Sequence, residues 1–304
     1  MMRMTLLAAA MACCAMTSAA VAQDRVTLGW GRLFSNDAMG DGQDRWRTGA
    51  YAVSRIRGVR WDGILPDQLG RIVEFRLRAD TIAPENLENL DPVDRRYAGA
   101  ITLGLHSQFE VAGFEADLGG DLVFVGPQTG IGDFQSWVHG ALGLGDVGAL
   151  DMQIEDAVHP TLTGELGRRF RLGGQVEFRP FVAARAGDET LVRAGGDLVI
   201  GTFGRGDLML RDVATGQRFR TVSGAQHPGV SVMLGGDVAR VFDSTYLPDG
   251  GMVTASDTRT RLRAGVHWQG QRSSVFYGVT YLSPEFEEQT EGQTVGALTL
   301  DFKF

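Results

Sequence analysis

The chain has 304 residues, with 37 acidic against 29 basic side chains and a net charge of −8 at pH 7, a balance that argues against a nucleic-acid partner. Beyond the first two dozen residues no apolar stretch reaches the roughly 18 residues that a membrane-crossing helix needs, so a helical membrane protein is excluded. The 42 glycines are scattered through alternating segments, which suits bent, closely packed strands better than a disordered linker.

Residues 1–22 read as a secretory signal peptide. Arg3 supplies the early positive charge, an apolar run extends from Leu6 to Met16, and Ala20 and Ala22 form the small-residue cleavage site. Cys13 and Cys14 fall inside this segment, so the mature chain, 23–304, is expected to be a single cysteine-free domain.

The mature chain alternates with a period of two. Val73, Phe75, Leu77 and Ala79 alternate with Glu74, Arg76, Arg78 and Asp80; Leu262, Ala264, Val266 and Trp268 alternate with Arg261, Arg263, Gly265 and His267. Val275, Tyr277, Val279 and Tyr281, and later Leu298, Leu300, Phe302 and Phe304, repeat the pattern. Such segments have one apolar and one wet face. Alternation alone fits a secreted β-sandwich as well as a barrel. Three observations favour a transmembrane antiparallel β-barrel: segments of bilayer-crossing length, aromatic residues near segment ends (Trp46, Tyr97, Trp268, Tyr281, Phe304), and a terminal phenylalanine after an alternating strand. The segments lie near 25–35, 46–60, 70–82, 97–107, 111–125, 149–170, 173–186, 190–203, 229–243, 258–270, 273–284 and 294–304. That makes twelve, an even number as a single-chain bacterial barrel requires. Gly173-Gly174 and 269–272 read as tight turns, and 36–45, 82–96, 204–228 and 244–257 as outer loops.

Between Gly130 and Gly143 the pattern changes. Phe134, Val138 and Leu142 take helical spacing, and Gln135 and His139, four apart, fall on one face of a short helix. Arg76, Arg78, Arg179, Arg185, Arg261 and Arg263 read as lumen charges paired with Glu74, Asp80 and Glu177. His106, His159, His227 and His267 read as ordinary lumen or loop residues.

The run Gly126-Pro127, Gly130, Gln135, His139, Gly143 resembles the signature of the lipid A 3′-O-deacylases of the outer membrane. Asn36-Asp37 followed by Asp44-Arg45 and Thr48 is similar to a second segment of that family. Ala83-Pro84 with 94–99 is similar to a third, Arg96 standing where a proline is usual. The resemblance implies a twelve-stranded barrel in the outer membrane of a Gram-negative cell, expected as a monomer. Its implied activity is hydrolysis of an acyl ester of lipid A, the lipid part of lipopolysaccharide, with a calcium ion stabilising the oxyanion. Carried over residue by residue, His139 is the general base; Gln135, Asn36, Asp37 and Thr48 line the same site; and Asn36 and Asp37 ligate the metal. Arg95 and Arg96 are candidates for substrate phosphates, because the 82–93 loop carries Glu85, Glu88 and Asp91. A neutral imidazole is suited to deprotonating water near neutral pH, and a hard oxygen-ligated cation is suited to the resulting oxyanion. Three alternatives stay open: Asn36-Asp37 as a plain turn, a catalytically silent structural or channel-forming barrel, and an outer-membrane phospholipase using Ser136. No G-x-S-x-G elbow is present to support a serine hydrolase.

Overall fold

The structure, a computed structural model, describes residues 25–88, 91, 93–224 and 227–302. The segment expected to be a signal peptide, its two cysteines and Phe304 lie outside the described residues. The strands in chain order are β1 (Val26–Asn36), β2 (Trp46–Gly58), β3 (Val73–Ala83), β4 (Ala98–Val111), β5 (Phe114–Val125), β6 (Ala157–Gly167), β7 (Phe170–Gly173), β8 (Val176–Ala186), β9 (Glu189–Ile200), β10 (Leu208–Arg211), β11 (Arg218–Val222), β12 (Gly229–Ser244), β13 (Thr258–Gln269), β14 (Ser273–Leu282) and β15 (Gln293–Phe302), and one helix, α1 (Ile131–Leu142), interrupts them. Twelve long strands pair antiparallel around a closed circuit. β6 meets both β5 and β8, and β1 meets both β2 and β15. The short β7 only extends the β8 ladder.

The direction of the alternation settles sandwich against barrel. Phe75, Leu77, Leu262, Val266 and Trp268 are exposed, whereas Glu74, Arg78, Arg261, Arg263 and His267 are buried. Apolar side chains outside and charges inside is the polarity of a wall standing in lipid, where closure also removes every unpaired sheet edge. The strand ends agree with the sequence reading to within a few residues, apart from 149–170. There the strand begins only at Ala157, after a turn of 3-10 helix at Gly148–Met152. Pro160 pairs with Leu122 of β5 but lies before the β8 pairing begins at Leu162, a half-paired strand end of the kind that accommodates proline.

Two expectations are corrected. Trp46 and Tyr97 are not girdle residues, since both are buried at the mouth of the barrel; Trp268 and Tyr281 do face outward. Nor is 204–228 an outer loop. It joins β9 to β12 at the end that carries the tight turns and folds back into the lumen as the β10–β11 hairpin. There Leu208, Leu210, Phe219 and Val222 pack against Leu33, Ile56, Ile72, Phe276 and Ala297. The polar side of the hairpin joins the lumen charges: Asp212 pairs with Arg78, and Arg261 donates to the carbonyls of Val213 (2.6 Å) and Ala214 (3.0 Å).

The expected lumen pairing holds for Arg76–Glu74 and Arg78–Asp80. Arg179, however, is held by Glu115 and Glu165 rather than Glu177, while Arg261 and Arg263 are held by Asp237 and Asp197. Buried guanidiniums of this kind are tolerable only when paired.

The hairpin thus fills part of the lumen from within. The full chain in a planar bilayer is therefore expected to show no steady conductance. Replacing residues 207–224 by a short glycine link is expected to produce discrete conductance steps, and a silent deletion variant would contradict the plug.

Candidate active site at the loop end of the barrel

The loops opposite the tight turns gather at one end, and the predicted motifs meet there. Helix α1 starts and stops at glycines with left-handed backbone, Gly130 (φ 67°) and Gly143 (φ 68°), where other residues would be strained. Its Phe134–Val138–Leu142 stripe faces away from the barrel: Phe134, Trp137 and Leu142 are exposed, and Phe134 stacks on Trp137 at 5.9 Å. Gly132 and His139 are its buried residues, on the opposite face. Close approach needs small residues on both sides. A Cβ on Gly132 would stand 2.6 Å from Leu150, and one on Gly99 of β4 would stand 2.7 Å from Ile131.

His139 is fixed at both ring nitrogens. Nδ1 lies 3.0 Å from the carbonyl oxygen of Gly145, which can only accept, so Nδ1 carries the proton. Nε2 lies 3.0 Å from Asp44 Oδ2. This is a base oriented by a carbonyl, with a carboxylate placed to stabilise its charged form. One turn back along α1, Gln135 accepts through Oε1 from the Tyr97 hydroxyl at 2.8 Å. Burial, with Asp44 and Asp133 adding negative charge, raises the Tyr97 pKa, so the phenol remains a donor. With its oxygen engaged, Gln135 has its amide N–H groups left to offer.

Asn36 and Asp37 sit where β1 ends. Asn36 caps the next turn, Oδ1 accepting from Ala38 N at 2.9 Å and Nδ2 donating to the Thr48 carbonyl at 2.7 Å. The plain-turn role and a place in the site are thus held by one residue. Asp37 is only 1% exposed. It accepts from Arg45 N (2.8 Å), Thr48 Oγ1 (3.3 Å) and Gln293 Nε2 (3.2 Å). Thr48 Oγ1 lies between Asp37 and Asp44 with its one hydrogen shared by the two, linking Asp37 to the histidine's partner. Between them β2 is bulged, with Trp46 at φ 49°, a conformation uncommon for a bulky residue. Arg45 stacks over the Trp46 ring at 4.2 Å and is tied to Glu85 and Glu291. Burial pushes the Asp37 carboxyl up to about 7, the Arg45 N–H opposes the shift, and the nearby charge of Asp44 adds to it. No cationic side chain touches Asp37 among the described residues.

The two arginines part company. Arg95 is buried, its Nη1 2.5 Å from Glu285 Oε2, and Glu285 also binds Arg47. Arg96 is exposed. Beside Asp44 a groove of about 910 Å³ runs between Glu85, Glu88, Asp91 and Asp94 on one side and Phe286 on the other.

Asp44 was legible only as part of a motif, and its role was missed. Tyr97, Gly145 and Gln293 were not found as site residues at all. Asp44 and His139 are 95 positions apart, and nothing short of the fold pairs them.

A model of the family described as outer membrane protein LpxR matches residues 6–304. The chain belongs to that family, the lipid A 3′-O-deacylases of the outer membrane that its motifs resemble. Among solved structures, LpxR from Salmonella typhimurium aligns with a TM-score of 0.75 and 17% identity over 91% of this chain and 100% of that one, which shows the shared fold. The beta domain of the Bordetella autotransporter BrkA (TM-score 0.42, 12% identity, 91% and 99% covered) and the KdgM porin in complex with oligogalacturonate (0.40, 6%, 91% and 98%) are more distant barrels. No match was found among curated protein sequences.

Asp37 gives this LpxR-family site a pH signature. In the metal-free chain Asp37 holds its proton up to about pH 7, whereas the unfolded side chain loses it near 3.8. Folding therefore binds a proton between these values, and stability falls as pH rises through that window. Refolded protein with chelator present is expected to have a lower urea midpoint at pH 8 than at pH 5.5. Asp37→Asn should remove most of that difference, and an equal slope in both proteins would refute the assignment.

Proposed function

We propose that this chain hydrolyses an acyl ester of lipid A in the outer leaflet, the 3′-linked acyl or acyloxyacyl chain, with His139 as general base. The observation that carries this reading is the pinning of His139. The Gly145 carbonyl engages Nδ1–H, which leaves Nε2 as the nitrogen that takes and releases a proton, and Asp44 Oδ2 at 3.0 Å accepts from it when it is protonated. A water presented to Nε2 gives up its proton as its oxygen attacks the ester carbonyl, and Asp44 stabilises the imidazolium that forms. The proton then passes to the departing sugar oxygen, releasing the fatty acid. Gln135 is a positioning donor whose amide is oriented by Tyr97.

The residues present fit a calcium ion. Among the described residues Asp37 is a buried carboxylate without a cationic partner, with the negative charge of Asp44 nearby, and paired carboxylate oxygens are what a hard cation takes. Asp37 and the Asn36 amide oxygen would hold the ion, with Asp44 close by. When bound it would supply positive charge to the oxyanion. Asp37, Thr48 and Gln293 hold the loop that carries Asp44 in place.

Lipid access is supported by α1 itself. It exposes Phe134, Trp137 and Leu142, apolar like the outer belt of the wall, with Phe134 and Trp137 turned away from His139, which supports approach of a lipid to the base. Arg96, exposed beside the site, is the proposed contact for a substrate phosphate. Two other readings lose support. The lumen hairpin opposes a channel, and Ser136 is not a partner of either His139 nitrogen among the described residues.

Mass spectrometry of lipid A from cells producing the full chain is expected to show loss of an acyl or acyloxyacyl chain. His139→Ala should reduce that conversion by about 10²–10⁴-fold, with Asp44→Asn falling between the two. Undiminished deacylation by folded His139→Ala protein would overturn the assignment of the base, and lysophospholipid in place of underacylated lipid A would redirect the substrate.

A further inference from the structure

At the opposite end of the molecule a second chamber lies inside the barrel. It has a volume of about 480 Å³ and separates the β10–β11 hairpin from the inner wall of β5, β6, β8 and β9. Trp61, Leu65 and Arg205 line it toward the tight-turn end, and Arg193 and Asp212 line its inner part. The continuous ladders of β5–β6 and β6–β8 stand between this space and the bilayer, so it is reached from water and not from lipid.

The chamber's charges do not balance in pairs. Arg211 and Arg218 are direct cross-strand partners in the hairpin, an arrangement that like charges destabilise. Arg211 is compensated by Glu165 and Asp197 at 2.7 and 2.8 Å, and lies over the Phe181 ring at 3.6 Å. The carboxylates around Arg218 are already shared. Glu115 serves Arg169 and Arg179, Glu165 serves Arg179 and Arg211, and Asp197 serves Arg211 and Arg263. Glu177 lies 3.9 Å from Arg169. In this part of the lining Arg169, Arg179 and Arg211 thus take up the contacts that Glu115, Glu165 and Glu177 offer, and Arg218 is left over. Among the described residues the guanidinium of Arg218 makes no hydrogen bond or ion pair, and the charges acting on it most strongly are the repulsive ones of Arg179 and Arg169. A planar five-donor group held in a water-accessible chamber and given no protein acceptor is what an oxyanion fills.

We propose that this chamber binds a small dissolved oxyanion of the phosphate or phosphomonoester class, with Arg218 as its anchor and Arg169 and Arg179 beside it. The site is separate from His139 and does not depend on the deacylase reading. An anion there cancels the Arg211–Arg218 repulsion and locks the hairpin against the wall, so ligand and plug stabilise each other.

The test uses the full chain refolded in detergent, titrated calorimetrically with inorganic phosphate at constant ionic strength, with chloride as the exchanged anion. Saturable phosphate binding and a higher urea midpoint in phosphate are expected for the wild type. Arg218→Gln should weaken binding by at least about tenfold, while Arg218→Lys falls between. Arg240→Gln, which alters an exposed arginine on β12, should bind as the wild type does. In phosphate-free buffer Arg218→Gln should be no less stable than wild type, because it removes a repulsion. The proposal is overturned if the wild type shows no saturable binding, or if Arg218→Gln binds phosphate as tightly.

Discussion

A wall standing in lipid turns the ordinary rule of burial around, because apolar side chains are satisfied outside and every charge must be satisfied within. That constraint governs this molecule. Arginines enter the lumen from β3, β8, β9 and β13, and each must meet a carboxylate on its own or a nearby strand or bear a desolvation cost of several kcal/mol. The wall alone cannot supply all these partners. The β10–β11 hairpin brings Asp212 to Arg78, and carbonyls to Arg261, from inside. It also covers the few apolar side chains that point inward.

The same ionic lattice reaches the catalytic end. Arg47, Arg95 and Arg259 converge on Glu285, whose carboxyl they hold well below the usual range. Arg47 lies between Trp46 and Thr48, and its N–H donates to Gln293, the residue that also holds Asp37. The loop bearing Asp44 is therefore anchored to the barrel by charge and to β15 through Gln293 and through Thr294, which exchanges hydrogen bonds with Asp41. Positional accuracy at His139 depends on groups that never approach a substrate.

The fold was largely legible because a two-residue period is a local property, read off Glu74–Asp80 or Arg261–Trp268 without knowing what lies across the barrel. The helix was legible too, from two glycines and a change of period. Hidden features were those that depend on distant chain meeting in space. A buried aromatic at a strand end, such as Trp46 or Tyr97, has the same sequence appearance as one in a girdle. The long 204–228 link could turn outward or inward with equal local propensity, and only its position after an even-numbered barrel strand sends it to the tight-turn end. Gln293 lies 256 positions from Asp37, and no spacing rule connects them.

The hairpin's apolar contacts have a bearing on how the cylinder is held shut. They come from β1 and β2 at one end of the chain and from β14 and β15 at the other. The seam where those ends meet is thin: β1 and β15 share three residue pairs, from Phe34↔Leu298 to Asn36↔Gly296, whereas β14 and β15 share ten. From inside the lumen the hairpin thus buttresses both sides of that thin seam, a fastening role distinct from its role as a barrier.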